Sequence, residues 1–155
     1  MKFMSRLDVV LSPGSCLLLP SLPGRIPLLR HLSIVPATFV GLRVSAYMNR
    51  PLRHIRQCCN LQSVVVNRVV KISSDVLREM LPESLQQLGL SHCETTDAAL
   101  LANGLPRTGY LLSLRCLYIT EPASDSTRLF ICRTTRWPRL EELHLRNIDL
   151  AGLID

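Results

Sequence analysis

The sequence predicts an α/β solenoid of stacked strand–turn–helix units, with short parallel strands on the concave side and helices on the convex side. Three observations lead to this prediction. An apolar-x-x-apolar-x-apolar pattern recurs four times, capped helical segments follow it, and leucine dominates the apolar residues. Hydrophobic residues make up 47% of the 155 residues and aromatic residues only 5%, so branched aliphatic side chains must form most of the core.

The recurring pattern is the strongest of these signals, because a fixed period identifies a repeat fold. Its four copies begin at Leu61, Leu85, Leu114 and Leu140. The intervals between them are therefore 24, 29 and 26 residues. In each copy the last two apolar residues are two positions apart, and side chains at that spacing point to the same side of a strand. We therefore expect parallel strands at about 64–66, 88–90 and 117–119, and a similar strand near Leu145.

Each of the first three copies is followed by residues typical of a turn and a helix. Ser73, Thr95 and Ser124 begin stretches in which a hydroxyl or Asp side chain can cap a helix. Pro82 and Gly104 can end the first two helices. One unit of strand, turn and helix cannot bury its leucines alone, so neighbouring units must stack. Burial of each Leu, Ile or Val, at about 1.5–3 kcal/mol, is then the main stabilising term.

Several of these residues resemble the cysteine-containing, ribonuclease-inhibitor-like class of leucine-rich repeats. Residues 59–64 and 137–143 look like the start of the strand in that class, and residues 88–93, which include Cys93, look like its end. The resemblance covers roughly positions 59–155. It implies a leucine-rich-repeat solenoid that binds a partner protein. The class usually has Cys or Asn at the end of the strand, and this chain departs from it at Val69, Pro122 and Ile148.

Residues 1–58 form an N-terminal segment that we expect to be helical or irregular, with two interpretations open. Leu29-Arg-His-Leu32-Ser-Ile34 matches the repeat pattern and would be a divergent first repeat. Positions 22–45 instead resemble a degenerate F-box, a helical module that docks on a ubiquitin-ligase adaptor. Pro27 departs from that module, because it falls where the first helix should run. The chain stops at Asp155, soon after the fourth copy, which predicts a partial solenoid.

Basic residues are concentrated in the N-terminal half. Residues 1–74 carry ten Lys and Arg against one acid, the remainder carries eight Arg against eleven acids, and the net charge is +6. Such a surface can attract nucleic acid, an anionic membrane or an acidic protein. The sequence has no nucleic-acid module with interleaved aromatics, and no apolar run approaches the roughly 18–20 residues of a membrane span. We therefore expect a protein partner.

The cysteines and histidines predict neither a metal site nor a catalytic site. The six cysteines form no CxxC pair, and none stands at metal-ligand spacing from a histidine. We expect reduced thiols, no metal, no cofactor and a cytoplasmic or nuclear location. Ser91-His92-Cys93 combines a nucleophile with a base, but neighbours on a strand point to opposite faces. Phosphate loops and GxSxG motifs are lacking, so we expect no catalytic residue and no enzyme activity.

The predicted binding surface is the face of the strands opposite the buried leucines. Its central column contains Val65, Gly89, Tyr118 and His144. The flanking columns are Ser63, Gln87, Cys116 and Glu142 on one side and Asn67, Ser91, Thr120 and Arg146 on the other. Tyr and Arg are enriched among the residues that dominate interface energies. The candidate partner-binding residues are Tyr118, His144, Arg146, Glu142, Gln87 and Asn67.

These residues predict a non-catalytic protein–protein interaction scaffold that binds its partner through the concave face. The alternative is the substrate-recognition subunit of an F-box (SCF-type) ubiquitin ligase. In that case a ubiquitin-ligase adaptor would be a second partner.

Overall fold

The fold is built from nine strands and two short α-helices within the described part of the chain. The computed structural model describes residues 4–12, 15, 18–37, 42–43, 46–72, 79–92, 94–95, 112–120 and 138–146. The elements in chain order are β1 (Arg6–Leu11), a 3-10 turn (Leu19–Ser21), α1 (Leu22–Arg25), β2 (His31–Pro36), β3 (Leu42–Arg43), α2 (Ala46–Arg53), a second 3-10 turn (His54–Gln57), β4 (Ser63–Asn67), β5 (Val69–Ile72), β6 (Gln87–Ser91), β7 (Glu94–Thr95), β8 (Cys116–Thr120) and β9 (Glu142–Arg146).

Six of these strands form one sheet in which every neighbouring pair is parallel. Their order across the sheet is β1-β2-β4-β6-β8-β9, so the strands follow one another in space as they do along the chain. The parallel strands expected at 64–66, 88–90 and 117–119 are confirmed as β4, β6 and β8. The fourth segment, at 143–145, lies in β9.

The core lies on one side of this sheet, where the two alternating apolar residues of each strand point. In β6 these are Leu88 and Leu90, and the equivalent pairs of β2, β4 and β8 are likewise buried. The first leucine of the patterns in β2, β4, β6 and β8, such as Leu85, is also fully buried, whereas Leu140 before β9 is half-buried. Leu22 of α1 and Leu52 of α2 join the same apolar cluster, which places the described helices on the core side of the sheet. Alternation at a period of two therefore separates core from surface.

The same backbone arrangement recurs where each of the five later strands of the main sheet begins. The Gln62 carbonyl accepts hydrogen bonds from the N–H groups of Gln86 and Gln87 at 2.8 and 2.9 Å. In the same way, the Gln86 carbonyl accepts from Arg115 and Cys116 at 2.8 and 3.0 Å. The carbonyls of Ser5, Arg30 and Arg115 each accept two consecutive N–H groups in the same manner. This shared acceptor fixes the register between neighbouring strands, because a shift by one residue would leave polar backbone groups unpaired.

The main sheet extends into the N-terminal segment that the sequence led us to expect as helical or irregular. The Leu29-x-x-Leu32-x-Ile34 segment forms β2, as the first-repeat interpretation requires, and β2 pairs with both β1 and β4. Strand β1 was not predicted from the sequence. Its residues follow the same pattern, as Met4-x-x-Leu7-x-Val9, and Leu7 lies opposite Leu32.

A second, smaller sheet joins β3, β5 and β7, and it too is parallel. We did not predict this sheet, because strands of only two to four residues are too short to show a pattern in the sequence. The helices predicted after β4, β6 and β8 fall mainly outside the described residues, as do Cys93 and positions 38–41 of the F-box-like segment. None of the described helices is long and apolar enough to cross a membrane.

Candidate functional site

The candidate site is the open face, defined as the side of the main sheet that carries Val65, Tyr118 and His144. The predicted alignment of its columns is confirmed by the strand register. Val65 lies opposite Gly89, Gly89 opposite Tyr118, and Tyr118 opposite His144. The same register places Gln87, Cys116 and Glu142 in one flanking column and Ser91, Thr120 and Arg146 in the other. Ser33 and Asp8 continue the central column onto β2 and β1.

Exposure is uneven across the open face. Tyr118 is 42% exposed and Val65 is 40% exposed, and both lie in the central column. Gly89 is buried, and the Val65 side chain packs against it. A Cβ atom added at Gly89 would lie only 3.2 Å from Val65 Cγ2. Ser63 and Cys116 are also buried, at 8% and 5% exposure. Ser63, Gly89 and Cys116 therefore lie in the columns of the open face but are not accessible on it.

The six predicted partner-binding residues differ in accessibility. Gln87, Tyr118, Glu142, His144 and Arg146 are exposed. Asn67 is half-buried, and its Oδ1 atom is buried without a hydrogen-bond partner among the described residues. A buried acceptor without a partner destabilises the fold by roughly 1–3 kcal/mol. Asn67 is therefore the least accessible of the six for a partner.

Tyr118 and His144 form a stacked pair in the central column, on β8 and on β9, the last strand in the order of the main sheet. Their ring centroids are 4.4 Å apart and their planes differ by 12°. The His144 Nε2 atom lies 3.0 Å from Glu142 Oε2. Because the two rings project from neighbouring strands, they form one aromatic unit on the open face, with the polar contact between His144 and Glu142 beside it.

Cys116 lies beside Glu142 on the same face. Its thiol donates a hydrogen bond to Glu142 Oε2 over 3.3 Å. One carboxylate oxygen is thus shared between the thiol and the His144 imidazole. Each of Cys116, Glu142 and His144 offers one possible ligand atom: Sγ, a carboxylate oxygen and an imidazole nitrogen. These three atoms lie within 4.8 Å of one another. We refer to these three residues as the β8–β9 cluster.

The cluster affects the pKa values of its own groups. Burial raises the pKa of the Cys116 thiol, and the nearby Glu142 carboxylate adds to this effect. A hydrogen bond with His144 lowers the pKa of the Glu142 carboxyl. A hydrogen bond with Cys116 raises the pKa of the Tyr118 hydroxyl. At neutral pH the thiol therefore keeps its proton and the carboxyl group is ionised, which agrees with the hydrogen bond that the thiol donates.

Sequence reasoning missed this cluster because it judged metal sites by spacing along the chain. The Cys116 residue is 26 positions from Glu142, and the two are brought together only by the pairing of β8 with β9. The predicted columns already placed them side by side, so the signal was present in the strand alignment. Among the described residues, Cys58, Cys59 and Cys116 are free cysteines. Cys16, Cys93 and Cys132 lie outside the described residues.

Comparison with known proteins assigns no family to the chain. No family model matches the sequence, and no curated protein matches it at a significant level. The resemblance to leucine-rich repeats therefore depends on the residue pattern itself.

Proposed function

We propose that this chain is a non-catalytic scaffold that binds a partner protein through the open face. The observation that carries the proposal is the exposed central column of that face, where Val65 of β4 stands in register with the Tyr118–His144 stack of β8 and β9. Exposed polar side chains, including Gln87 and Arg146, flank this column. An aromatic and apolar centre with a polar rim is the usual composition of a protein interface.

The position of these residues in the sheet indicates how a partner would bind. Strands β4, β6 and β8 each have a paired neighbour on both sides, so their backbone groups cannot accept an added strand. Binding at the centre of the face must therefore use side chains. Tyr118 supplies a large amphipathic ring with few rotatable bonds, which limits the entropy lost on binding. Arg146, exposed at the end of β9, can pair with a carboxylate of the partner.

We further propose that the strand–turn–helix units form a leucine-rich-repeat solenoid of the ribonuclease-inhibitor-like class. Three features support this proposal: the all-parallel sheet, the agreement between strand order and chain order, and the shared carbonyl at each strand start. Leu88, which lies opposite both Val64 and Leu117, illustrates how equivalent positions align from unit to unit. We also propose a cytoplasmic or nuclear location, because free thiols such as Cys58 are typical of a reducing compartment.

The alternative, an F-box-type subunit of a ubiquitin ligase, gains no support from the described residues. Residues His31–Pro36 lie within the F-box-like segment, and they form an internal strand of the main sheet rather than a helix. Deletion of the F-box-like segment, residues 20–50, cannot test this alternative cleanly. It would remove β2 from between β1 and β4 and so disrupt the main sheet. Co-purification of the intact chain with the ligase adaptor is therefore the appropriate test of this alternative.

Site-specific photocrosslinking tests the scaffold proposal directly. A photoreactive phenylalanine analogue at position 118 should capture the partner protein in cell extract, because the ring already projects from the open face. The same analogue at Leu112, an exposed residue in the turn before β8, provides the matched control. Capture of the same proteins with equal yield from both positions would contradict binding at the open face.

A further inference from the structure

The β8–β9 cluster brings together three different side chains of the kinds that bind transition metals. Cys116 offers a sulfur, Glu142 an oxygen and His144 a nitrogen. Among the described residues, no other three His, Cys, Asp or Glu side chains come together in this way. The cluster lies on the open face, but its chemistry is independent of any partner protein.

The sheet holds the three side chains in place. Cys116 is paired with Glu142 and Tyr118 with His144, so all four side chains project from adjacent positions of one parallel ladder. The Arg115 carbonyl accepts the N–H groups of Glu141 and Glu142 and fixes the start of β9. The Tyr118 ring stacks on the imidazole at 4.4 Å and orients its plane. Such support from neighbouring groups is what positions metal ligands in proteins.

We propose that Cys116, Glu142 and His144 bind a zinc ion through Sγ, one carboxylate oxygen and Nε2. Sulfur, nitrogen and oxygen are the ligands of zinc, whereas magnesium and calcium take oxygen ligands. Tetrahedral zinc with bonds of 2.0–2.3 Å keeps its ligand atoms about 3.3–3.6 Å apart.

The separations in the structure are close to those of such a site. The Cys116 Sγ and Glu142 Oε2 atoms are 3.3 Å apart, and Glu142 Oε2 and His144 Nε2 are 3.0 Å apart. The remaining separation, between Sγ and Nε2, is within 4.8 Å and closes by a small rotation of the exposed His144 side chain. On binding, the ion replaces the two hydrogen bonds of Glu142, and the thiol proton passes to solvent.

The burial of the three ligands defines the direction from which zinc enters. Cys116 forms the floor of the cluster at 5% exposure, while Glu142 and His144 are exposed. On zinc bound to these three ligands, the fourth coordination position would point toward the open face and be accessible to solvent. Three protein ligands and one open position are the arrangement of an accessible zinc site rather than a closed structural one.

Cobalt substitution tests the proposal on the intact, reduced chain after removal of metal by a chelator. Addition of Co²⁺ should produce a thiolate-to-cobalt absorption band together with the visible bands of tetrahedral cobalt, and Zn²⁺ should then abolish both. The Cys116→Ser variant should lose the thiolate band and bind Zn²⁺ at least about 10- to 100-fold more weakly, the loss already seen when only supporting groups are removed. Glu142→Gln and His144→Gln should also weaken binding.

Two matched variants control for the other thiols and imidazoles of the chain. Cys59→Ser removes an exposed free thiol, and His31→Gln removes an exposed imidazole that lies in the column of Cys116 and Glu142, three strands away from β8. Both should keep the wild-type spectrum and affinity.

Absence of a thiolate band in the wild type, or a band that persists in Cys116→Ser, would overturn the proposal. If Cys116→Ser does not fold, unchanged binding by Glu142→Gln and His144→Gln, which alter exposed side chains, would overturn it instead. No partner protein is present, so failure here would leave the scaffold proposal untouched.

Discussion

Arg68 and His92 hold the same left-handed backbone conformation at equivalent positions after β4 and β6, with φ of 51° at each. The Arg68 N–H donates to the Ser91 carbonyl at 2.8 Å, and the His92 N–H donates to the Thr120 carbonyl at 2.9 Å. Each residue thus links the end of its strand to the end of the next. Residues other than Gly, Asn and Asp rarely adopt this backbone conformation. The pairing of the strands must therefore impose it at both positions.

The Arg68→Gly variant should be as stable as the wild type or more stable. A left-handed conformation costs a residue with a side chain roughly 1–2 kcal/mol, and the greater freedom of Gly in the unfolded chain offsets about 0.5–1 kcal/mol of the gain. The free energy of unfolding, measured by urea denaturation, should therefore rise by up to about 1.5 kcal/mol. Arg68→Val, which introduces a β-branched side chain at the same φ, should be destabilised. Equal losses in both variants would show that φ at this position does not limit stability.

The Leu88→Ala variant should lose about 2–5 kcal/mol of unfolding free energy. The Leu88 side chain is fully buried, and Leu88 lies opposite Val64 on one neighbouring strand and Leu117 on the other. Leu112→Ala, at an exposed position, is the matched control and should change stability by less than about 0.5 kcal/mol. Denaturant titrations of the two variants provide the comparison. Equal effects would mean that Leu88 is not part of the core.

Cys58 and Cys59 should differ sharply in their reaction with an alkylating reagent, although they are neighbours in sequence. Burial raises the pKa of the Cys58 thiol, and the reactive species is the thiolate. Cys59 is exposed. Brief treatment of the native chain with iodoacetamide, followed by tandem mass spectrometry, should therefore label Cys59 first. In denaturant the two thiols should be labelled at similar rates, and similar rates in the native chain would contradict the burial of Cys58.

The strands of the main sheet could be predicted from sequence where the leucine pattern was complete. In β6 the buried Leu88 and Leu90 alternate with exposed or glycine positions, and this period alone defined both the strand and its buried side. Strand alignment then gave the correct neighbours on the open face, including Tyr118 beside His144. These features depend on local side-chain direction, which sequence spacing reports well.

Other features could not be predicted because they depend on contacts between distant residues. Strand β1 was not predicted because its copy of the pattern begins with the exposed Met4 and not with a leucine. Its pairing with β2 is visible only in the sheet. The burial of Cys116 depends on its neighbours across strands rather than on its own sequence context. The β8–β9 cluster needs both the strand register and the side-chain rotamers, and spacing along the chain reports neither.

The most direct test of the central claim is the affinity of the captured partner for open-face variants. Once photocrosslinking has identified the partner, its dissociation constant should be measured by calorimetry for the wild type and for Tyr118→Ala/His144→Ala/Arg146→Ala. The triple variant should bind at least about 30-fold more weakly at unchanged thermal stability, since loss of one dominant interface side chain often costs about 2 kcal/mol. Arg25→Ala/Arg30→Ala, which alters two exposed basic residues outside the strands, should bind normally. Normal binding by the triple variant, with loss of binding in Arg25→Ala/Arg30→Ala, would contradict recognition by the open face.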